Sequence, residues 1–270
     1  MKFVIDGVRY HVDKCGNGYP LVALHGFTGS GETWRPFCDE WKDHSTLIML
    51  DIIGHGQSDS PTDLERYKIE NVACDLIKIL DKLEINQVDL LGYSMGGRLA
   101  LTFAMLYPHR VRKLVLESAT PGIEKPQHQE ERRLKDEKLA DFIKKEGVES
   151  FINFWESIPL FESLTKLPED KKESLRMQRL KNNQKGLINC LLGMGTGSQP
   201  SWWADLHQLR CDVLLITGNQ DKKFCNIAEK MTFHLKNVDW QVIEDCGHIN
   251  HVEKSEIFGT IVSEFLSNTY

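Results

Sequence analysis

Ser94 stands at the centre of Gly92-Tyr93-Ser94-Met95-Gly96, a G-x-S-x-G string directly after an apolar run and directly before a helical pattern. In that setting the glycines leave room for a sharp strand-to-helix turn, which lifts the hydroxyl clear of the sheet edge. A serine hydroxyl is a weak nucleophile or base until a histidine takes its proton and an acid orients that histidine. Both partners follow in order. Asp221 closes Gly218-Asn219-Gln220-Asp221 after the run Val213–Thr217, and His248 closes Cys246-Gly247-His248 after a strand pattern ending near Glu244. Both segments read as loops at the sheet edge, where such partners belong. The competing structural roles are a helix N-cap for Asp221 and a backbone-bonded loop histidine for His248. His251 and Asp245 are neighbouring alternatives in poorer positions.

Three further segments bear on the same chemistry. His25-Gly26-Phe27 follows the first central strand, so the Phe27 backbone N–H is placed to meet negative charge developing on oxygen, with Met95 N–H as its partner. The Phe27 side chain could equally line a pocket. The glycine-rich Asp51–Ser58 segment holds His55, read as a structural turn residue because a second catalytic histidine is not required. Arg98 lies four residues after Ser94, one helical turn on, among small and apolar neighbours. A charge packed there is costly without an anionic partner. That partner would be a bound carboxylate or a structural acid.

These residues need a scaffold of alternating strands and helices. Residues 3–14 alternate around Asp6-Gly7, which predicts an opening antiparallel hairpin. Apolar runs recur at Leu21–Leu24, Thr46–Leu50, Val88–Leu91, Lys113–Leu116, Val213–Thr217 and Val238–Ile243. Helical patterns at Ile69–Leu83, Met95–Tyr107, Ile227–Leu235 and Ile257–Leu266 separate most of them, which implies an α/β fold with a mostly parallel sheet covered on both faces. The rhythm stops over residues 121–205, where the chain is helical, charged and rich in aromatics. That segment is expected to form an inserted cap on a single domain spanning residues 1–270. Its helices are expected at Gln129–Lys145, Val148–Glu156 and Glu169–Lys181, with PLFESL and GMGTGSQP as turns.

Composition sets limits. The net charge of −6 is dispersed along the 270 residues, which lacks the footprint of a nucleic-acid binder. No apolar run reaches the roughly 18 to 20 residues that span a bilayer, so no membrane insertion is expected. The N-terminus lacks the order of a signal peptide. The seven cysteines are scattered without metal-ligand spacing and read as reduced thiols in a cytoplasmic protein. No metal or organic cofactor is expected, and the sequence leaves monomer and homodimer equally open.

The strings LHGFTGSGETW, DIIGHGQSDSP and LLGYSMGGRLAL together resemble the alpha/beta-hydrolase superfamily. Within it, the chain resembles the 2-succinyl-6-hydroxy-2,4-cyclohexadiene-1-carboxylate synthase (MenH) family, on the arginine of GYSMGGR and on ERRLKDEKLADFI, FWESIPLFESL, RLKNNQKGL and GNQDKKF in the same order. Met95 replaces the leucine often found after the serine, and GHINH differs slightly from the common GHNxH. The resemblance implies a carbon–oxygen lyase of menaquinone biosynthesis. It would act on a small anionic polycarboxylate, with Ser94 abstracting a ring proton and no acyl-enzyme formed. It further implies carboxylate binding by Arg98, Arg132 and Arg179, with Arg133 as a possible substitute for Arg132, and a pocket wall of Tyr93, Trp155 and Phe161. Two other readings are a carboxylester or carbon–carbon bond hydrolase with the same triad and a catalytically idle small-ligand receptor.

Overall fold

The computed structural model describes residues 1–267. Strands β1 (Lys2–Ile5) and β2 (Val8–Cys15) form the expected hairpin. Asp6 and Gly7 both take positive φ, at 46° and 82°, the two-residue turn whose twist matches that of its strands. After them come β3 (Tyr19–Leu24), β4 (Ser45–Leu50), β5 (Val88–Tyr93), β6 (Val111–Glu117), β7 (Asp212–Gly218) and β8 (Val238–Ile243). They form one eight-stranded sheet in the order β1-β2-β4-β3-β5-β6-β7-β8. Pairing is antiparallel for β1–β2 and β2–β4 and parallel from β4 to β8. The chain leaves β3 for β4 on one side and later returns to β5 on the other. In open α/β sheets a reversal of this kind, here at the carboxyl ends of β3 and β5, is where ligands bind.

The helices are α1 (Cys38–Trp41), α2 (Ile69–Lys82), α3 (Met95–Leu106), α4 (Pro126–Glu156), α5 (Glu169–Leu180), α6 (Gln184–Met194), α7 (Lys222–Thr232), α8 (Asn250–Glu253) and α9 (Ser255–Ser267). One face of the sheet packs on α2, α3 and α7 through residues such as Leu76, Leu99, Phe103 and Met231. The other face packs on Trp34, Trp41, Phe258 and Val262. Two cores on either side of one sheet leave its strand ends as the place for chemistry. Helix α3 lies unusually close to the sheet. A Cβ on Gly96 would stand 2.2 Å from the Leu24 carbonyl oxygen, and one on Gly97 would stand 2.6 Å from the Ala119 Cβ.

Between β6 and β7 the chain forms α4, a 3-10 helix at Pro159–Lys166, α5 and α6, around a small core of Ile143, Phe151, Ile152 and Leu187. Gly147, at φ 81°, divides α4 into the two limbs that the sequence pattern separates. PLFESL is part of the 3-10 helix and not a plain turn. Helix α6 was not anticipated, because Gly186 and Gly193 interrupt its pattern. Those glycines serve packing: a Cβ on Gly186 would stand 2.0 Å from the Gly54 carbonyl oxygen. Helix α7 begins five residues before the apolar pattern, at the residue after the Asp221 cap.

One expectation is overturned. Cys15 and Cys38 form a disulfide, so the cysteines are not all reduced; Cys74, Cys190, Cys211, Cys225 and Cys246 are free thiols. The partners are 23 residues apart in sequence, and folding brings their Cα atoms to 5.9 Å, within bonding range. Spacing along the chain carries no trace of that approach. Among the described residues no helix is long and apolar enough to cross a membrane. The same residues hold no cluster of three or more His, Cys, Asp or Glu side chains suited to a metal ion.

Candidate active site

Ser94 sits between the end of β5 and the start of α3 at φ 51° and ψ −104°. A left-handed backbone at a non-glycine residue is strained, and such strain persists only where the surroundings enforce it. Here the enforcement is visible. The Ser94 N–H donates to the Glu117 carbonyl oxygen at 2.8 Å, and its carbonyl accepts from Arg98 N–H at 3.0 Å. A Cβ on Gly92 would meet the Gly96 carbonyl oxygen at 2.4 Å, so the flanking glycines are a steric requirement of the elbow.

The loops after β7 and β8 bring the other two groups to this serine. His248 Nε2 lies 3.1 Å from Ser94 Oγ, and its Nδ1 lies 2.6 Å from Asp221 Oδ2. Asp221 also accepts from Phe224 N–H at 3.3 Å, so its capping and histidine-orienting roles coexist on two carboxylate oxygens. His248 and Asp221 are buried, whereas Ser94 is partly accessible. A reachable hydroxyl joined to a shielded His–Asp pair can pass its proton inward and act as base or nucleophile. The Phe27 and Met95 backbone N–H groups have no hydrogen-bond partner among the described residues. Met95 opens α3, where the first N–H groups of a helix are always left over.

Arg98 is buried, and its guanidinium donates to the Met194 carbonyl oxygen at 2.7 Å and to Gln199 Oε1 at 2.5 Å. Both acceptors are neutral. Burial, followed by repulsion from Arg132, pushes its pKa down to about 10. Arg132 forks onto Asp136 with Nε 3.0 Å from each carboxylate oxygen. Arg133 instead bonds Glu130 and the Gly197 carbonyl. Arg132 is therefore the member of the pair electrostatically linked to Arg98. Arg179 is buried, 3.2 Å from Glu156 Oε1 and 5.0 Å from the centre of the Phe161 ring, and burial lowers its pKa while Tyr93 and Glu156 oppose that shift.

The aromatic side chains named from the sequence connect this region to His248. Trp155 packs on Phe27 and Phe161 with ring centres 5.6 Å apart in each case. Phe161 and Tyr93 reach His248 at 6.0 and 5.4 Å. The Trp155 indole N–H is buried without a partner. Phe27 thus contributes both a free backbone N–H and a packed side chain. A cleft of about 1030 Å³ lies elsewhere, between α5 and residues 29–36, lined by His11, Asp13, Arg35, Lys171 and Lys181. It includes no triad residue, so the hydrogen-bond chain, and not volume, locates the chemistry.

Sequence reasoning missed the carboxylates behind the His248 loop. Glu253 accepts from the N–H groups of Gly247 and Ile249, at 2.8 and 3.1 Å, on either side of His248. Glu117 is fully buried and bonds His251 Nδ1 at 2.8 Å, while His251 Nε2 faces Thr33 Oγ1 at 3.3 Å and not Ser94, which sets His251 apart from the Ser94 hydrogen-bond chain. Gln199, which holds Arg98, was missed as well. The short spacing from His248 to Glu253 was the one available signal.

The alpha/beta hydrolase fold family model matches residues 19–255. A Bacillus subtilis (strain 168) protein named putative 2-succinyl-6-hydroxy-2,4-cyclohexadiene-1-carboxylate synthase is 48% identical, covering 98% of this chain and 97% of its own length. The synthase of that name from Photorhabdus laumondii subsp. laumondii is 32% identical over 93% of this chain and 88% of its own. Among solved structures, MenH from S. aureus superposes with a TM-score of 0.91 at 35% identity, covering 95% of this chain and 97% of that one.

Proposed function

Because the chain belongs to the alpha/beta hydrolase fold family and, within it, to the MenH family, we propose that Ser94, His248 and Asp221 are the catalytic triad of a 2-succinyl-6-hydroxy-2,4-cyclohexadiene-1-carboxylate synthase. The enzyme is a carbon–oxygen lyase of menaquinone biosynthesis. It eliminates pyruvate from 2-succinyl-5-enolpyruvyl-6-hydroxy-3-cyclohexene-1-carboxylate. Ser94, its proton passed to His248, takes the ring proton beside the succinyl ketone. The freed electron pair extends the ring unsaturation into a diene and breaks the carbon–oxygen bond to the enolpyruvyl group, which leaves as the enolate of pyruvate and is protonated. Charge that gathers on the ketone oxygen meets the Phe27 and Met95 N–H groups.

The substrate is a small organic acid with several carboxylates. Arg98, Arg132 and Arg179 are assigned to hold them, and Tyr93, Trp155 and Phe161 to wall off the ring. The observation that carries this reading over ester hydrolysis is Arg98: a buried guanidinium bonded to two neutral oxygens is suited to an incoming anion. We place the enzyme in the cytoplasm and read it as one domain with a cap over residues 121–205. Incubation of purified protein with the enolpyruvyl substrate should release pyruvate in step with substrate consumed. Rapid turnover of simple esters with no pyruvate released would assign the triad to a hydrolase instead.

A further inference from the structure

Residues Gly26 to Gly29 form a tight turn, closed by the Gly29 N–H on the Gly26 carbonyl oxygen at 3.0 Å. Its third residue, Thr28, has φ 69°, whereas Phe27 is not in the positive-φ region. That is the type II pattern, which favours glycine or asparagine at the third position. A β-branched residue there is a genuine outlier and must be held. Thr28 is buried, and its carbonyl oxygen receives Asn182 Nδ2 at 2.6 Å. The same nitrogen also donates to the Arg179 carbonyl oxygen at 3.0 Å. Both partners are acceptors, so the amide must present its NH2 end. A second contact, Gln178 Nε2 to Ser30 Oγ at 3.0 Å, joins the same two segments.

We propose that Asn182 is a positioning residue: its side-chain amide ties the strained turn that carries the Phe27 N–H to the end of the helix that carries Arg179. The proposal rests on the assignment of Phe27 to the oxyanion hole. Thr28 relaxes toward negative φ when the tie is cut, and the turn opens with the Phe27 N–H inside it. Charge developing on the substrate oxygen then loses a donor, whereas the carboxylates of the ground state keep their arginines. Damage of this kind falls on kcat and spares KM.

The test uses the full-length enzyme. Asn182→Ala should lower kcat for pyruvate release about tenfold or more, with KM changed by less than about twofold. Asn182→Asp, which has the same shape but no N–H to donate, should do at least as much damage. Adding Thr28→Gly to Asn182→Ala should recover most of the lost kcat, because glycine accepts positive φ without a tie. Should Asn182→Ala fail to fold, Asn182→Gln keeps both donors on a longer stem and should show a smaller loss, again in kcat. The rate at which an organophosphorus fluoridate labels Ser94 should fall in parallel, since its phosphoryl oxygen uses the same N–H groups. That labelling reads the turn even if pyruvate is never released, which separates failure of the proposal from failure of the lyase assignment. Unchanged kcat, a loss confined to KM, or a double variant no better than Asn182→Ala would overturn it.

Discussion

Arg98 is a buried guanidinium whose hydrogen-bond acceptors are both neutral, and the nearby Asp136 carboxylate, already forked by Arg132, offsets only part of the cost of leaving water. Its spacing from Ser94 was legible in the sequence; the neutral character of its hydrogen-bond acceptors was not, because Met194 and Gln199 come from about a hundred residues further on. Removal of such a group should leave the fold sound and harm the chemistry. Arg98→Ala is expected to cost about 2 to 5 kcal/mol in kcat/KM for pyruvate release. Arg98→Met should reach the same low activity with a lowered melting temperature, since the buried Met194 carbonyl and Gln199 Oε1 lose their donor. Unchanged kinetics in either folded variant would take Arg98 out of the site. Ser94→Ala isolates the hydroxyl itself: roughly a hundred- to ten-thousand-fold loss of kcat is expected with circular dichroism unchanged. Equal rates in wild type and Ser94→Ala would show that the triad is idle.

Strand ends were the most legible elements, because apolar runs that stop at glycine or at a charged loop announce both the buried strand and its exit. All three triad residues fall at such exits, after β5, β7 and β8. Elements shaped by close approach were hidden. Helix α6 reads poorly because its glycines answer to close neighbours and not to helix propensity, Gly186 to Gly54 and Gly193 to Tyr67. The Cys15–Cys38 bond likewise depends on an approach that the chain order does not reveal. Gly147 is the opposite case, a break both visible in sequence and real in structure. A Cβ at this position would meet nothing within 4 Å, so its φ of 81° is the sole obstacle to a side chain. Gly147→Ala should therefore lose stability by about 1 kcal/mol through backbone strain alone. Calorimetry should register a fall of about 2 to 4 °C in melting temperature. An unchanged melting temperature would mean that the two limbs of α4 can merge without cost.

Acid stability joins the site to the whole molecule, because the strand ends that expose Ser94 also bury two imidazoles in neutral form. His25 Nδ1 lies 2.8 Å from the Gly26 carbonyl oxygen while its Nε2 accepts the Ile52 N–H at 3.0 Å. A proton on Nε2 would face that N–H. Burial accordingly pushes the His25 pKa down to about 4. His55 packs against it with ring centres 5.1 Å apart, and its buried Nε2 has no partner. Burial, then repulsion from His25, pushes its pKa down to about 3. In the unfolded chain both groups take up protons near pH 6.5. The unfolded state thus binds more protons below that pH, and stability declines as pH falls from about 6.5 toward the folded values. For His25 alone the loss amounts to about 3 kcal/mol by pH 4. Urea denaturation midpoints measured from pH 7 to pH 4.5 should fall steadily in the wild type. His55→Gln, which cannot titrate, should show a shallower decline over the same interval. Parallel declines in the two proteins would mean that His55 takes up its proton at the same pH folded and unfolded, against its burial beside His25.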